Sequence, residues 1–465
     1  MHTSRRLFLA CTTSALACAT LRSTAALAAT PQPSSTKTNL PPTSKVTLNA
    51  KECGAIGDGK ALDTLALQQA IDRCSMLGGG EVVVPAGSYA TGALVLRSHV
   101  TLRLEKDASL LGIADRTAYP ITQVRWEGKW IKGYSALISA VDSEEIAILG
   151  PGKIVGSPTI QGRIERPSNL RLPALLEFVG CRNVRVADCA TTNGGMWSIH
   201  PVYCENIRFN NVIIVSGADG IDVDSCRKVV IEGCDFTTAD DCISLKSGRG
   251  EEGYKLHRPT EEVRIANCTF VDSHFACIGI GSELSAGVRS VQIENCTCRG
   301  ARSHAIYIKT RAGRGAFIED IFVDGFEVSG AQQGFLRLNS TGSGKQDEHP
   351  VPGDEGLPTL RNFRFTNIRV HDVPMLVHGT EIDPRKPLVG FSLTKVTGTA
   401  QRGITLANVH DAVLDKINVT IAEGPLLATH NVSGKGLAGA VALSPDQLPK
   451  TPDAIPVPAV PYQLH

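Results

Sequence analysis

The sequence predicts an all-β chain wound as a parallel β-helix, on three observations. A short strand-like phrase recurs, it alternates apolar and polar positions, and it opens on a residue suited to a tight turn. Asn183, Asn206 and Lys228 begin successive phrases 23 and 22 residues apart. Related phrases run from Glu262 to Cys268, Ser290 to Cys296 and Asn362 to Ile368, and weaker ones at Asp320, Gly390 and Ala412 carry the pattern almost to the C-terminus. A coil of about 22 residues cannot bury its apolar face alone but can when stacked on its neighbours. Leucine-rich repeats would show a leucine consensus and propellers would need blades of about 40 to 45 residues. The sequence shows neither. Asn, Gly and Cys recur at fixed turn positions, where left-handed backbone and stackable side chains are wanted.

From the N-terminus, residues 1–28 read as a twin-arginine export signal. Arg5 and Arg6 precede a small, apolar run, and Ala26-Leu27-Ala28 resembles a cleavage site. The expected location is periplasmic or secreted. Cys18 sits in a poor acylation context, and the run is too short to span a bilayer. Residues 29–44, rich in Pro, Ser and Thr, read as a flexible lead-in. Residues 45–465 form one expected domain, with inserted loops accounting for its length.

Asp63 to Leu77 is the clearest helix, with Leu67, Ala70, Ile71 and Cys74 on one face and Asp63 placed to cap it. It reads as a short helical cap over the exposed edge of the first coil, followed by Gly78-Gly79-Gly80 and the strand Val82-Val83-Val84. The glycines read as turns, since no Lys-Ser/Thr follows to bind phosphate. Twelve of the 14 cysteines follow the signal and several recur inside the repeated phrase, which argues for buried thiols over a disulfide framework or a zinc site. Basic and acidic residues number 47 and 46, so neither a nucleic-acid footprint nor a membrane patch is implied. The expected assembly is a monomer.

Asp240 and Asp241 follow Asp219 by 21 and 22 residues, one coil. Stacked coils lie roughly 4.8 Å apart, so the three carboxyls should share one patch and raise at least one pKa among them. An acid beside an ionised base is what glycoside hydrolysis requires. Asp at such turns also serves in Asx-turns, and spacing alone does not separate the two roles. His274 and Lys309 fall on the same strip if loops bulge outward, His274 to position a carboxyl or hydroxyl and Lys309 to hold an anionic sugar. Trp126, Trp130 and Tyr134 lie in an insertion that would wall a groove, with anchoring expected for at least two of them. Glu251 to His257 and Ser340 to Glu355 are insertions suited to closing one end. His200 reads as a support behind the site or a turn residue.

The segments Cys53 to Gly59, Val84 to Tyr89, Met196 to Pro201, Asp219 to Asp222, Asp240 to Ile243, His274 with Gly279 to Glu283, and Ile308 to Thr310 together resemble glycoside hydrolase family 28, the polygalacturonase family. That resemblance implies a single-stranded right-handed β-helix and hydrolysis of a polysaccharide or oligosaccharide substrate with inversion, without metal or cofactor. It implies Asp240 as proton donor, Asp219 and Asp241 holding the attacking water, His274 assisting, and Lys309, Tyr307 and Asp222 on the substrate side. Three motifs depart from the family. Gly217-Ala218 stands where Asn-Thr is usual, Ser273 and Phe275 flank the histidine where glycines are usual, and Tyr307 stands where an arginine precedes the lysine. The missing guanidinium removes a bidentate carboxylate clamp, and Tyr307 would offer a stacking face instead. A calcium-dependent lyase and a non-catalytic glycan-binding β-helix are the competing readings.

Overall fold

Alternating apolar residues on short strands bury one edge of every rung, and stacking the rungs is what gives them partners. The structure is a computed structural model that describes residues 45–450, all within one compact unit. The chain winds a right-handed parallel β-helix with three strand faces per coil. Residues 1–44, where an export signal and a lead-in are expected, lie outside the described residues.

On the first face, Arg182–Ala187, Glu205–Asn210, Arg227–Glu232 and Thr260–Ala266 pair in parallel register, so that Val184, Ile207, Val229 and Val263 form one buried column. The second face carries Ala190–Asn193, Ile213–Ser216, Asp235–Thr238 and Thr269–Ser273. The third carries Leu176–Val179, Ile199–Val202, Ile221–Asp224, Ile243–Lys246, Ile278–Ile280, His304–Lys309 and Gly334–Asn339. Pairing begins at Val46–Asn49, which lies beside Gly80–Val84, so the Val82-Val83-Val84 strand is itself a rung and only the helix is cap.

The phrase openings predicted as turns are left-handed: Asn183, Asn206 and Lys228 have φ of 57°, 58° and 57°. Asn206 donates to the Asn183 side chain at 2.5 Å, extending the stack outside the core. One residue earlier, Arg182, Glu205, Arg227, Glu261 and Arg289 alternate in sign up the face, with Arg289 2.6 Å from Glu261. Such exposed pairs contribute little each, but they forbid a one-rung slip that would align like charges.

The helix runs Thr64–Met76 and buries Leu67, Ala70, Ile71 and Cys74, as its spacing predicts. Asp63 does not cap it. Its carboxylate instead accepts the backbone N–H groups of Ile56 and Gly57 at 2.6 and 3.1 Å, tying the preceding turn to the helix start. The twelve cysteines from Cys53 onward are free thiols, eleven of them buried. No helix among the described residues is long and apolar enough to cross a membrane.

Four insertions leave the helix beside the third face: the hairpin Ile121–Trp126 with Lys129–Tyr134, the loop 156–175, the helix Gly250–Leu256 and the loop 340–358. Buried ion pairs lock three of them down. Arg125 meets Asp224 at 2.9 Å, Arg171 grips Glu177 at 2.5 and 2.9 Å, and Arg314 pairs with Asp347. Removing one partner would strand a buried charge, which typically costs about 3–5 kcal/mol.

Candidate active site

Turns between the second and third faces hold the aspartates. Each is shaped by a hydroxyl at the end of the preceding strand: Ser216 donates to the Asp219 carbonyl at 2.8 Å, Thr238 to that of Asp240 at 2.6 Å. Gly220 N–H donates to the Asp241 carbonyl, so Asp219 and Asp241 hold the same position on successive coils. Asp240, one residue earlier, reaches further outward. The closest carboxylate oxygens of the three lie within 4.8 Å of one another.

Cations face each carboxylate. Lys246 Nζ lies 2.5 Å from Asp222 and 3.3 Å from Asp219, and Lys309 Nζ lies 2.8 Å from Asp241. The Ser244 hydroxyl sits between Asp219 and Asp241, at 3.2 and 2.9 Å. Arg163, from the loop 156–175, contacts Asp240 Oδ2 at 2.5 Å. These neighbours sort the carboxyls electrostatically. Burial pushes Asp219 up to about 6 despite the pull of Lys246, and the charges of Asp240 and Asp241 add to the rise. Burial likewise raises Asp241 against Lys309. Burial also works on Asp240, but Arg163, with Lys309 and Lys246, outweighs it and holds that carboxyl below its ordinary value. The inner carboxyls therefore hold a proton more readily than Asp240, the donor implied by the resemblance.

The trio has the donor set of a divalent-cation site, yet Arg163, Lys246 and Lys309 already supply the countercharge. An ion placed there would meet three positive groups already paired with the carboxylates, so the arrangement does not fit one.

A cavity of about 280 Å³ opens over the aspartates, lined by Asp219, Asp240, Asp241, Lys246 and Lys309 and walled by residues of the insertions: Trp126, Glu127, Arg163, Ser343 and Gly344. Hollows of about 770 and 560 Å³ elsewhere lack three convergent carboxylates. Several sequence expectations meet a different placement. His274 is not among the cavity residues; its ring faces Arg302 at 3.0 Å and Asp272 at 3.6 Å, while Phe275 turns inward. Asp222 is fully buried beneath Lys246, which leaves no surface for a sugar and makes it an anchor of that lysine. Tyr307 is 5% exposed, wedged between Phe275 and Arg337, so the stacking face expected of it is covered. The aromatic ring offered to the cavity from this side is Phe275, with Lys309 Nζ 4.3 Å from its centre.

Trp126 stacks on Trp197 at 4.9 Å and lines the cavity, whereas Trp130 packs near Tyr203 and Tyr134 bonds Glu165, which leaves those two as anchors. His200 is buried, bonded to Glu177 at 3.1 Å and edge-on to Trp197, a support behind the wall. Of the two polar insertions, the loop 340–358 reaches the cavity through Ser343 and Gly344, and the helix Gly250–Leu256 does not line it.

Residues 74–336 match the model for glycosyl hydrolases family 28. The chain belongs to that family. A probable polygalacturonase of Vitis vinifera is 30% identical over 360 residues, covering 74% of this chain and 72% of the relative. An exo-poly-alpha-D-galacturonosidase of Dickeya chrysanthemi is 26% identical over 309 residues, covering 53% of this chain and 49% of that protein. Among solved structures, an exopolygalacturonase from Thermotoga maritima superposes with a TM-score of 0.69 at 25% identity, covering 80% of this chain and 92% of that one. The Yersinia enterocolitica family 28 exopolygalacturonase shares the fold, with a TM-score of 0.71 at 21% identity over 83% and 77%. This family 28 chain is a glycoside hydrolase.

The departures from the family pattern have local causes. A Cβ on Gly217 would lie 2.0 Å from the Gly194 carbonyl oxygen, so the turn before Asp219 admits no side chain. Ala218 is buried against Met196 and Trp197, where a hydroxyl would lose water for nothing. Sequence reasoning missed Lys246, Ser244 and Arg163. The first two were findable, because Lys246 follows Asp224 by one coil and alternation puts Ser244 and Lys246 outward. Arg163 carried no signal, since its loop has no period.

Gly279 makes the carboxylate geometry possible. A Cβ there would come within 2.4 Å of Asp241 Oδ2. Gly279→Ala is expected to lower kcat about 100-fold by displacing that carboxylate, while the fold persists. Steady-state kinetics beside a melting curve checks it, and an unchanged kcat would show that Asp241 need not sit there.

Proposed function

We propose that this glycoside hydrolase cleaves the acidic galacturonan backbone of pectin from a chain end, with inversion. The observation that carries the reading is the carboxylate trio, whose members are held in unlike electrostatic states inside one cavity. The polygalacturonase names of its relatives support the substrate class, and two of them are exo-acting by name. Residues from three insertions wall the cavity, and a chain end is the proposed occupant.

In the proposed reaction Asp240 gives its proton to the glycosidic oxygen as the C1–O bond breaks. Water held between Asp219 and Asp241 attacks the anomeric carbon from the other side and passes a proton to that pair. Carboxyl separation alone would favour retention, because inverting pairs usually stand about 6.5–9.5 Å apart. Inversion is proposed here because both inner carboxylates are tethered, Asp219 to Lys246 and Asp241 to Lys309, with Ser244 between them. That arrangement presents a pair of acceptors for one water, not a free nucleophile. Lys309, a substrate contact by the family resemblance, is here committed to Asp241 and holds that carboxylate in place.

Incubation with polygalacturonan, rhamnogalacturonan and xylogalacturonan, with products weighed by mass spectrometry and the first-formed anomer read by NMR, tests all of this. Saturated mono- or digalacturonate with inverted configuration from polygalacturonan alone is expected. Release only from a branched or rhamnose-containing polymer overturns the substrate, a retained anomer overturns the water-holding roles, and unsaturated products absorbing in the ultraviolet would make the chain a lyase.

A further inference from the structure

Three cationic side chains line the cavity, and they differ in what they are free to do. Lys246 and Lys309 are buried and committed to carboxylates that sit beside them on the third face. Arg163 comes from an insertion, its side chain is 39% exposed, and it reaches across to the most exposed of the three aspartates, whose side chain is 29% exposed. Its backbone is fixed: Leu172 N–H donates to the Arg163 carbonyl at 2.9 Å, and Ile164 bridges to Arg171, itself clamped on Glu177. The guanidinium can therefore change partner by side-chain rotation alone, with no loop movement.

The Arg163 contact also poses a chemical problem. A proton donor must start protonated, but a guanidinium 2.5 Å from Asp240 favours the ionised form. The charged groups around Asp240 are Arg163 from the loop, Lys246 and Lys309 from the third face, Asp219 and Asp241 from the turns, and Glu127 and Glu283 on the cavity wall. Of these only Arg163 is both in contact with Asp240 and placed to leave it. Without Arg163, Asp240 would stand beside two other carboxyls, an environment that favours its proton.

We propose that Arg163 is the residue that binds the carboxylate of the acidic sugar, and that in taking this ligand it releases Asp240 to act as the proton donor. The guanidinium fork suits a carboxylate bidentately, so the substrate offers two parallel bonds for the single one given up. Recognition of the anionic ring and arming of the acid become one event: the ring's carboxylate replaces Asp240 on Arg163, and Asp240 takes a proton from solvent. A neutral ester of the same sugar would bind without freeing Asp240. This deepens the galacturonan reading above and rests on it.

The test compares wild type, Arg163→Gln and Arg163→Lys on trigalacturonate and on its methyl ester, with kcat/KM followed against pH. Arg163→Gln is expected to lower kcat/KM on the acid about 10- to 100-fold, the loss of a charged hydrogen-bond pair, and to affect the ester far less, so that the preference for the acid collapses. The alkaline limb of its kcat/KM profile is expected to move to higher pH, because Asp240 keeps its proton longer. Arg163→Lys should retain part of the preference. Direct binding adds a second readout: inactive Asp240→Asn should hold trigalacturonate more tightly than Arg163→Gln/Asp240→Asn does. Equal losses on both substrates with an unmoved pH profile would overturn the proposal and leave Arg163 a structural residue. An Asp240→Asn variant that still turns over would instead overturn the hydrolytic roles themselves, so the two failures are distinguishable.

Discussion

Asn in place of Asp240 is expected to lower kcat about 100- to 10,000-fold, the usual worth of a positioned acid, with the melting temperature unchanged. The amide has the shape of the carboxyl but no proton to give to the departing oxygen. The side chain lies at the edge of the cavity, where its contacts are Arg163 and the Asp241 N–H, so nothing in the core depends on its charge. The loss should shrink on an aryl glycoside, whose leaving group departs without protonation, and that contrast distinguishes a lost acid from a distorted site. Turnover near that of the parent on galacturonan would sink the assignment of Asp240.

The second large effect is expected at Asp219, where activity and stability should move in opposite directions. Asp219→Asn removes one of the two acceptors proposed for the attacking water and should lower kcat by about 100-fold or more. Its effect on stability follows from the pKa. Burial, with the charges of Asp240 and Asp241, raises the folded-state value to about 6 from an ordinary 3.8. Between about pH 4 and about pH 6 the folded chain holds a proton that the unfolded chain has released, so stability falls as pH rises through that window and the whole penalty stands above it. The neutral amide escapes the penalty, while Lys246 keeps Asp222 as its partner. Asp219→Asn should therefore be more stable than the parent at pH 7, by on the order of 1–3 kcal/mol, and no more stable at pH 4. Thermal melts of both proteins at the two pH values check it; a variant less stable at neutral pH would mean that ionised Asp219 holds the turn together.

Such a cost is intelligible at a site built to use it. A carboxyl that titrates near 6 is a stronger base than an ordinary aspartate once ionised, and the strain of keeping it buried is carried by long columns of stacked apolar rungs on either side. The ion pairs that hold the insertions serve the same end, because the cavity exists only while the hairpin, the loop 156–175 and the loop 340–358 stay against the third face.

Asp219, Asp240 and Asp241 could be placed together from their numbers alone because a β-helix converts one coil of sequence into a single interstrand step. The same conversion was available for Lys246 and Ser244, and it located the left-handed turns at Asn183, Asn206 and Lys228. It did not settle the side chain of His274, nor did the resemblance settle those of Asp222 and Tyr307, because register fixes where a Cα sits and not which way a crowded side chain turns. Phe275 took the inward space beside His274, Lys246 covered Asp222, and Arg337 with Phe275 covered Tyr307. Asp63 shows the same limit at the other end of the chain, where two backbone donors at Ile56 and Gly57 outbid the helix for its carboxylate. By itself, then, the sequence determined the coil, its core columns and the strip on which three carboxyls meet, all of which are periodic. Only the tertiary structure decided which of those carboxyls is paired, through Arg163 on a loop without period, since a contact across 77 residues and outside the repeat leaves no trace in local spacing.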